Sequence, residues 1–245
     1  MYPVLFRIGS FEITSFGVML ALAAIVGLRI FTSELRRADL PPSAMDAALY
    51  GLFGGIVGAK LIWAFEHAAT GPFVDLLFSR GGLSWYGGLL GGMGVGVGIL
   101  AFRQLPLIAV LSAATPAFAF GHLLGRIGCF LVGDDYGIPS RLPWAVAFPD
   151  GMPPTTVAVH PTQIYEALGL GVLGCLLVSW RRARVSDEQV LGRYLLLAGT
   201  LRFGIEFIRV HQPGYFGLAV GQLFSLGMML IGITVMRIRA HRSSA

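Results

Sequence analysis

Charge is scarce in this sequence. Only 13% of its 245 residues are Asp, Glu, Lys or Arg, roughly half of what a soluble domain carries, and mean hydropathy is +0.73. That shortage argues against a water-soluble globular domain. Cysteine is scarce too: Cys129 and Cys175 fall on different predicted helices, one near an end and one near a middle, so no disulfide is expected and the redox compartment is not readable from them. The five histidines, His67, His122, His160, His211 and His241, show no close pairing with one another or with a CxxC, so neither metal nor cofactor is expected. There is no GxSxG and no serine-histidine arrangement for hydrolysis. The glycine-rich stretch "GGLSWYGGLLGGMGVGVG" lacks the Lys-Ser/Thr of a phosphate loop, which excludes nucleotide binding. The start, "MYPVLFRIGSFEIT", has no basic stretch leading into a short apolar core and no small-residue cleavage site, so no removable signal peptide is expected. No internal repeat is visible, and one domain over 1–245 is expected.

What the chain has is long apolar runs. Hydrophobic residues make up 55% of it, and stretches of roughly 20 residues, enough to cross a hydrocarbon core, fall at 13–31, 44–66, 83–103, 107–133, 162–180, 189–209 and 217–238. The expectation is an all-α, polytopic membrane protein with seven transmembrane helices. The net charge of +5 does not point to nucleic acid, because the basic residues lie between apolar segments and form no long tail. Their distribution sets an orientation instead. Arg36, Arg37, Arg103, Arg181, Arg182, Arg184, Arg237, Arg239 and Arg242 follow the odd-numbered segments one, three and five or close the chain; only Arg7, Arg80, Arg141 and Arg209 lie on the other side. The positive-inside rule then puts the N-terminus outside and the C-terminus in the cytoplasm.

That orientation sorts the polar residues by depth. Arg126 and Asp134 approach the outer surface on segment four, as do Arg202 and Glu206 on segment six; Tyr86, the trio His160, Gln163 and Glu166, and Gln222 open segments that start outside. Ionisable groups within a membrane point to function by default, and several arriving at one depth imply a polar cavity open to the outer leaflet. Arg29 and Arg193 lie near cytoplasmic ends, where long side chains snorkel. Lys60 has no assignment.

Each motif has an ordinary reading beside a functional one. His122, Arg126, Cys129 and Gly133 form one helical stripe beside a seam of Gly121, Gly125 and Gly128, which suits close helix packing; Asp134, Asp135 and Gly137 then add a charged corner. In "LRFGIEFIR", Arg202, Glu206 and Arg209 fall on one face at spacings of four and three, and Arg202 with Glu206 suits a structural ion pair or a guanidinium fork held for a phosphate. Trp85 and Tyr86 suit an aromatic belt, and Tyr86 is also a candidate catalytic group. "HPTQIYE" reads as a helix start, with Pro161 preset for it and Glu166 needing Arg126 or Arg202 as partner. A transporter is disfavoured, because its site would sit near the midplane between repeats.

"GRIGCFLVGDDYG" resembles the signature of the prolipoprotein diacylglyceryl transferase family, G-R-x-G-N-F-x-N-x-E-x-x-G. "ITSFGVML", "GGLSWYGGLLGG", "LPWAVAFP", "HPTQIYEAL", "RFGIEFIR" and "GQLFS" follow that family's landmarks in order over nearly the whole chain. The resemblance implies a multi-pass enzyme of the bacterial inner membrane. Its substrates would be phosphatidylglycerol, among the membrane lipids, and the lipobox cysteine of a prolipoprotein signal peptide; it would move a diacylglyceryl group to that thiol and release glycerol 1-phosphate. It places the family's two key arginines on Arg126 and Arg202, its carboxylates on Asp134 and Glu206, and its closing glycine on Gly137. Three positions depart: Tyr86 stands for a catalytic histidine, Cys129 for a signature asparagine and Phe16 for a tyrosine of the first span. The implied catalytic set is Tyr86, Arg202, Glu206 and Asp134. The implied substrate-binding set is Arg126, Arg202, Cys129, Gly137, His160, Gln163, Glu166, Gln222 and Phe16. A related enzyme with another donor or acceptor, and a non-catalytic protein binding an anionic lipid, are the alternatives.

Overall fold

The computed structural model describes residues 3–9, 11–79, 82–210 and 217–242, and within these the side chains of Ile8, Phe11 and 238–242 are not described. Arg80 and His211 lie outside the described residues, and the side chains of Arg239, His241 and Arg242 are likewise not described. A short antiparallel hairpin, β1 (Val4–Ile8) with β2 (Phe11–Thr14), leads into α1 (Ser15–Arg37), α2 (Ala44–Glu66), the short α3 (Phe73–Phe78), α4 (Trp85–Phe102) and α5 (Leu107–Val132). A second hairpin, β3 (Val146–Phe148) with β4 (Thr155–Val159), precedes α6 (Thr162–Arg182), α7 (Asp187–Glu206) and α8 (Val220–Arg242).

The protein is predominantly α-helical, and the expected spans find their helices. The two hairpins and α3 are additions to the all-α expectation; they are too short for a hydropathy window to resolve. Six helices among the described residues, α1, α2, α4, α5, α6 and α8, are long and apolar enough to cross a membrane. This makes the chain a multi-pass membrane protein. Helix α7 has 20 residues but carries Asp187, Glu188, Arg193, Arg202 and Glu206, which lower its hydropathy. Outer surfaces are apolar, with Phe53, Phe65, Leu90, Leu168 and Leu230 all exposed, as suits lipid rather than water.

The chain divides into two compact units, 1–31 with 111–245, and 32–110. In the second unit α2 and α4 meet through glycines. A Cβ on Gly58 would lie 2.4 Å from the Gly87 carbonyl oxygen, and one on Gly91 would lie 2.3 Å from that of Gly54. Both figures are far inside van der Waals contact with backbone that cannot step aside, so only glycine allows this approach. The sequence leaves open whether these glycines serve packing or room for a lipid; at Gly87, Gly91 and Gly92 it is packing, whereas Gly94 and Gly98 face open space. Lys60, unassigned from sequence, reaches the main-chain oxygen of Ser79 at 2.8 Å and lies 4.6 Å from the Trp63 ring centre.

In the first unit α7 and α8 pack in the same way, through Gly192 and Gly232 and through Gly199 against the Ser225 carbonyl. A buried cluster of Ala119, Leu173, Leu177 and Val190 joins α5, α6 and α7. At one end of it Arg181 bonds Ser112 at 3.0 Å and Asp187 at 2.6 Å, while Arg193 stacks over Trp180 at 5.0 Å. These contacts fix three helices whose opposite ends carry the charged residues.

Candidate active site

The site is assembled within the first unit around one carboxylate. Glu166 stands in the second turn of α6 with its side chain only 3% exposed, and a lone carboxylate at that depth would be too costly to keep ionised. Two guanidiniums and an imidazole surround it. Its Oε2 lies 2.8 Å from Arg126 Nε on α5 and 3.4 Å from Arg202 Nη1 on α7, and its Oε1 lies 3.6 Å from His122 Nε2. Arg202 Nη2 in turn meets Glu206 Oε2 at 2.7 Å, the i, i+4 pair expected from the spacing. The Arg126–Glu166 and Arg202–Glu206 contacts are close but not aligned as hydrogen bonds. They act as Coulombic pairs. Room for the Glu206 carboxylate comes from Gly221 on α8, where a Cβ would stand 3.1 Å from it.

The corner after α5 supplies the second half. Gly133 N and Asp134 N both donate to the Cys129 carbonyl, at 2.8 and 3.2 Å, and Gly133 takes the positive φ of +75° that closes many helices. Asp135 follows with φ +59°, a conformation few non-glycine residues adopt. That turn directs its carboxylate to Arg126 Nη1 at 3.0 Å and to Arg209 Nη2 in a close ion pair. The start of α6 clamps the corner: Gln163 Nε2 donates to the Asp134 carbonyl at 2.5 Å and Thr162 Oγ1 to that of Asp135 at 2.8 Å. Gly137 then runs antiparallel to Arg209 and donates to the His160 carbonyl at 2.9 Å. A Cβ there would meet the Ile208 oxygen at 2.4 Å.

These surroundings divide the two aspartates. Burial alone would raise both, yet Arg209 and Arg126 hold Asp135 below the ordinary carboxylate range, whereas burial and the neighbouring Asp135 push Asp134 up. Cys129 Sγ and one oxygen from each aspartate lie within 4.8 Å of one another. Two guanidiniums already engage the Asp135 carboxylate, so this trio serves an ion-pair network rather than a cation.

The structure thus brings together Arg126, Glu166, Arg202 and Glu206, and beside them Asp134, Cys129, Gln163 and Gly137. Cys129 accepts weakly from Arg126 Nη1 at 3.9 Å. His160 instead faces Tyr165, with Nδ1 3.3 Å from its hydroxyl, which also takes the Trp144 indole N–H at 2.7 Å. Gln222 is occupied as a helix cap, its side-chain oxygen accepting from Ala219 N at 3.0 Å, because the first N–H groups of a helix have no partner within it. Phe16 on α1 packs beside Gly128, where a Cβ would be 3.3 Å from its ring. Tyr86 belongs to the second unit; it opens α4, 42% exposed, with its ring edge-on to Trp85 at 5.3 Å.

Sequence reasoning does not single out three members of the cluster. Arg209 is placed there on one helical face with Arg202 and Glu206, but it is given no partner and no role in the site. Asp135 falls in a charged corner without a partner, and His122, four residues before Arg126, has packing as its ordinary reading.

Chemically, this is a set of three guanidiniums facing three carboxylates, largely buried except at Asp135. An anion that displaces a carboxylate here would find preorganised donors. The profile of prolipoprotein diacylglyceryl transferase matches residues 3–238. The chain belongs to the prolipoprotein diacylglyceryl transferase family. It is similar to the phosphatidylglycerol–prolipoprotein diacylglyceryl transferase of Methylococcus capsulatus, with 32% identity over 99% of this chain and 97% of the relative. It is likewise similar to those of Rhodospirillum rubrum, at 35% over 95% and 90%, and Finegoldia magna, at 30% over 95% and 94%. In this member of the prolipoprotein diacylglyceryl transferase family, Arg126 ties the corner to the helices, with Asp135 on one side and Glu166 on the other.

Proposed function

We propose that the chain transfers the diacylglyceryl group of phosphatidylglycerol to the lipobox cysteine thiol of a prolipoprotein, releasing glycerol 1-phosphate. The observation that carries this reading is the convergence of Arg126 and Arg202, from two separate helices, on Glu166 Oε2 in a member of this family. The donor phosphate takes over part of that role and lies between the two guanidiniums. As the thiolate sulfur bonds to the glyceryl carbon, the bond from that carbon to the phosphate oxygen breaks. Its electron pair leaves with glycerol phosphate, whose added charge the arginines offset.

The remaining residues support this in assigned ways. Glu206 holds Arg202, and Glu166 holds both arginines until the donor arrives. Asp134 and Cys129 line the corner beside Arg126, with Gly137 and Gln163 fixing its shape. Tyr86 takes its catalytic part from the family resemblance, Phe16 and His160 border the substrate, and Gln222 caps the start of α8. Counting α7 as a span, because Arg202 and Glu206 are paired within the cluster and Asp187 and Arg193 are partnered at its other end, gives seven transmembrane helices in one integral-membrane domain of the bacterial inner membrane. Arginine placement supports an outer N-terminus and a cytoplasmic C-terminus. Partners are the donor lipid and the prolipoprotein signal peptide, with no role for nucleic acid.

Complementation tests the reading. Expression in a strain depleted of its own transferase restores growth, and mass spectrometry finds diacylglyceryl on lipoprotein cysteines. Unmodified lipoproteins despite membrane accumulation of the chain would refute it.

A further inference from the structure

A thiol attacks as its thiolate, so the transfer must deliver the S–H proton to an acceptor close to the reacting carbon. The carboxylates of the cluster are poorly placed for this. Glu166 is buried and shared between Arg126 and Arg202, Glu206 is bound to Arg202, and Asp135 is bound to Arg126 and Arg209. Asp134 faces Cys129 across the corner, with Oδ1 fully buried. His160 is turned to Tyr165.

His122 differs from all of these. Its side chain is 38% exposed, and its Nε2 lies 3.6 Å from Glu166 Oε1, longer than a hydrogen bond but within reach of an ion pair. It sits four residues before Arg126 on α5, about 6 Å nearer the middle of the helix and on the same face. The glyceryl carbon of a phospholipid lies between phosphate and acyl chains. With the phosphate at Arg126, that carbon falls on the side of His122.

We propose that His122 is the catalytic base of this chain. This rests on the transferase reading above. The imidazole takes the thiol proton on Nδ1 as the S–C bond forms and the C–O bond breaks, with the electron pair of the latter leaving on the phosphate oxygen. The resulting imidazolium closes on the Glu166 carboxylate, and the proton passes to water after the product leaves. The charged groups that face the ring are Glu166, Arg126 and Arg202. A histidine backed by a carboxylate is a common way to activate a weak nucleophile, and here the same carboxylate also orders the phosphate-binding arginines.

The test uses the full-length chain in membranes with phosphatidylglycerol and two lipobox peptides, one with cysteine and one with selenocysteine, whose selenol is ionised at neutral pH without help. The unmodified chain lipidates both; if it lipidates neither, the transferase reading fails rather than this inference. His122→Gln and His122→Ala are each expected to lower kcat on the thiol peptide by about 100-fold or more, with KM for phosphatidylglycerol little changed and turnover of the selenol peptide largely kept. Ordinary thiol turnover in either variant overturns the proposal. So does equal loss on both peptides, or failure of both variants to accumulate in the membrane, since either outcome makes His122 a packing residue.

Discussion

Arg126 and Arg202 meet at a single atom, Glu166 Oε2, at 2.8 and 3.4 Å, although they come from helices 76 positions apart in sequence and neither helix holds the carboxylate. Two guanidiniums would repel at that separation in a low dielectric, so Glu166 is what allows them to share a site. Removing its charge leaves both without that partner. Glu166→Gln is expected to destabilise the protein by about 3 kcal/mol or more, read as a lower melting temperature in detergent; an unchanged melt would mean that the pair tolerates its own repulsion.

The adjacent aspartates should respond to substitution in opposite directions. Asp135 is held below its ordinary value of 3.8, so the stability it contributes is present above that value and is lost as pH falls through the lower folded one. Asp135→Asn is expected to cost about 1–2 kcal/mol at neutral pH, a figure reduced for a side chain 39% exposed, and to remove that part of the acid sensitivity. Asp134 is raised, so its contribution is present below 3.8 and is lost as pH rises through the higher folded value. Asp134→Asn should therefore leave stability equal or greater at neutrality while lowering transfer. Thermal melts of both variants from neutrality down to about pH 2 would separate them.

Gly137 tests the corner sterically. A methyl group there would stand 2.4 Å from the Ile208 oxygen and 2.8 Å from both His160 Cβ and Thr162 Cγ2. Backbone and α6 cannot both yield, so Gly137→Ala should cost about 2–3 kcal/mol and transfer should fall with it. Normal stability would show that the corner is softer than these distances imply.

Much of this site is legible in the sequence because helical spacing carries direct geometric information. The stripe through His122 and Arg126 and the Arg202–Glu206 pair follow from three- and four-residue spacings, and the need of Glu166 for an arginine follows from the cost of an unpaired charge. What stays hidden depends on the chain leaving its helices. Asp135 reaches Arg209 only because the corner turns through φ +59° and the backbone at Gly137 pairs with that of Arg209, and neither event has a periodic signal. The hairpins escape notice for the same reason. Gln222 illustrates the converse: its depth in the sequence suggests exposure to a ligand, while its oxygen caps α8.

Tyr86 is the departure with the most direct assay. Its hydroxyl is the one group that Tyr86→Phe removes, and the ring retains its packing on Trp85. Transfer to a lipobox peptide is expected to be abolished while the variant accumulates normally. Undiminished turnover would take the tyrosine out of the reaction.

The most direct test of the central claim is the release of labelled glycerol phosphate from phosphatidylglycerol in membranes carrying the unmodified chain, Arg126→Gln or Arg202→Gln, supplied with a lipobox peptide. If the two guanidiniums hold the donor phosphate together, each substitution lowers release about 100-fold or more while the protein still accumulates. Normal release by either variant would contradict the account.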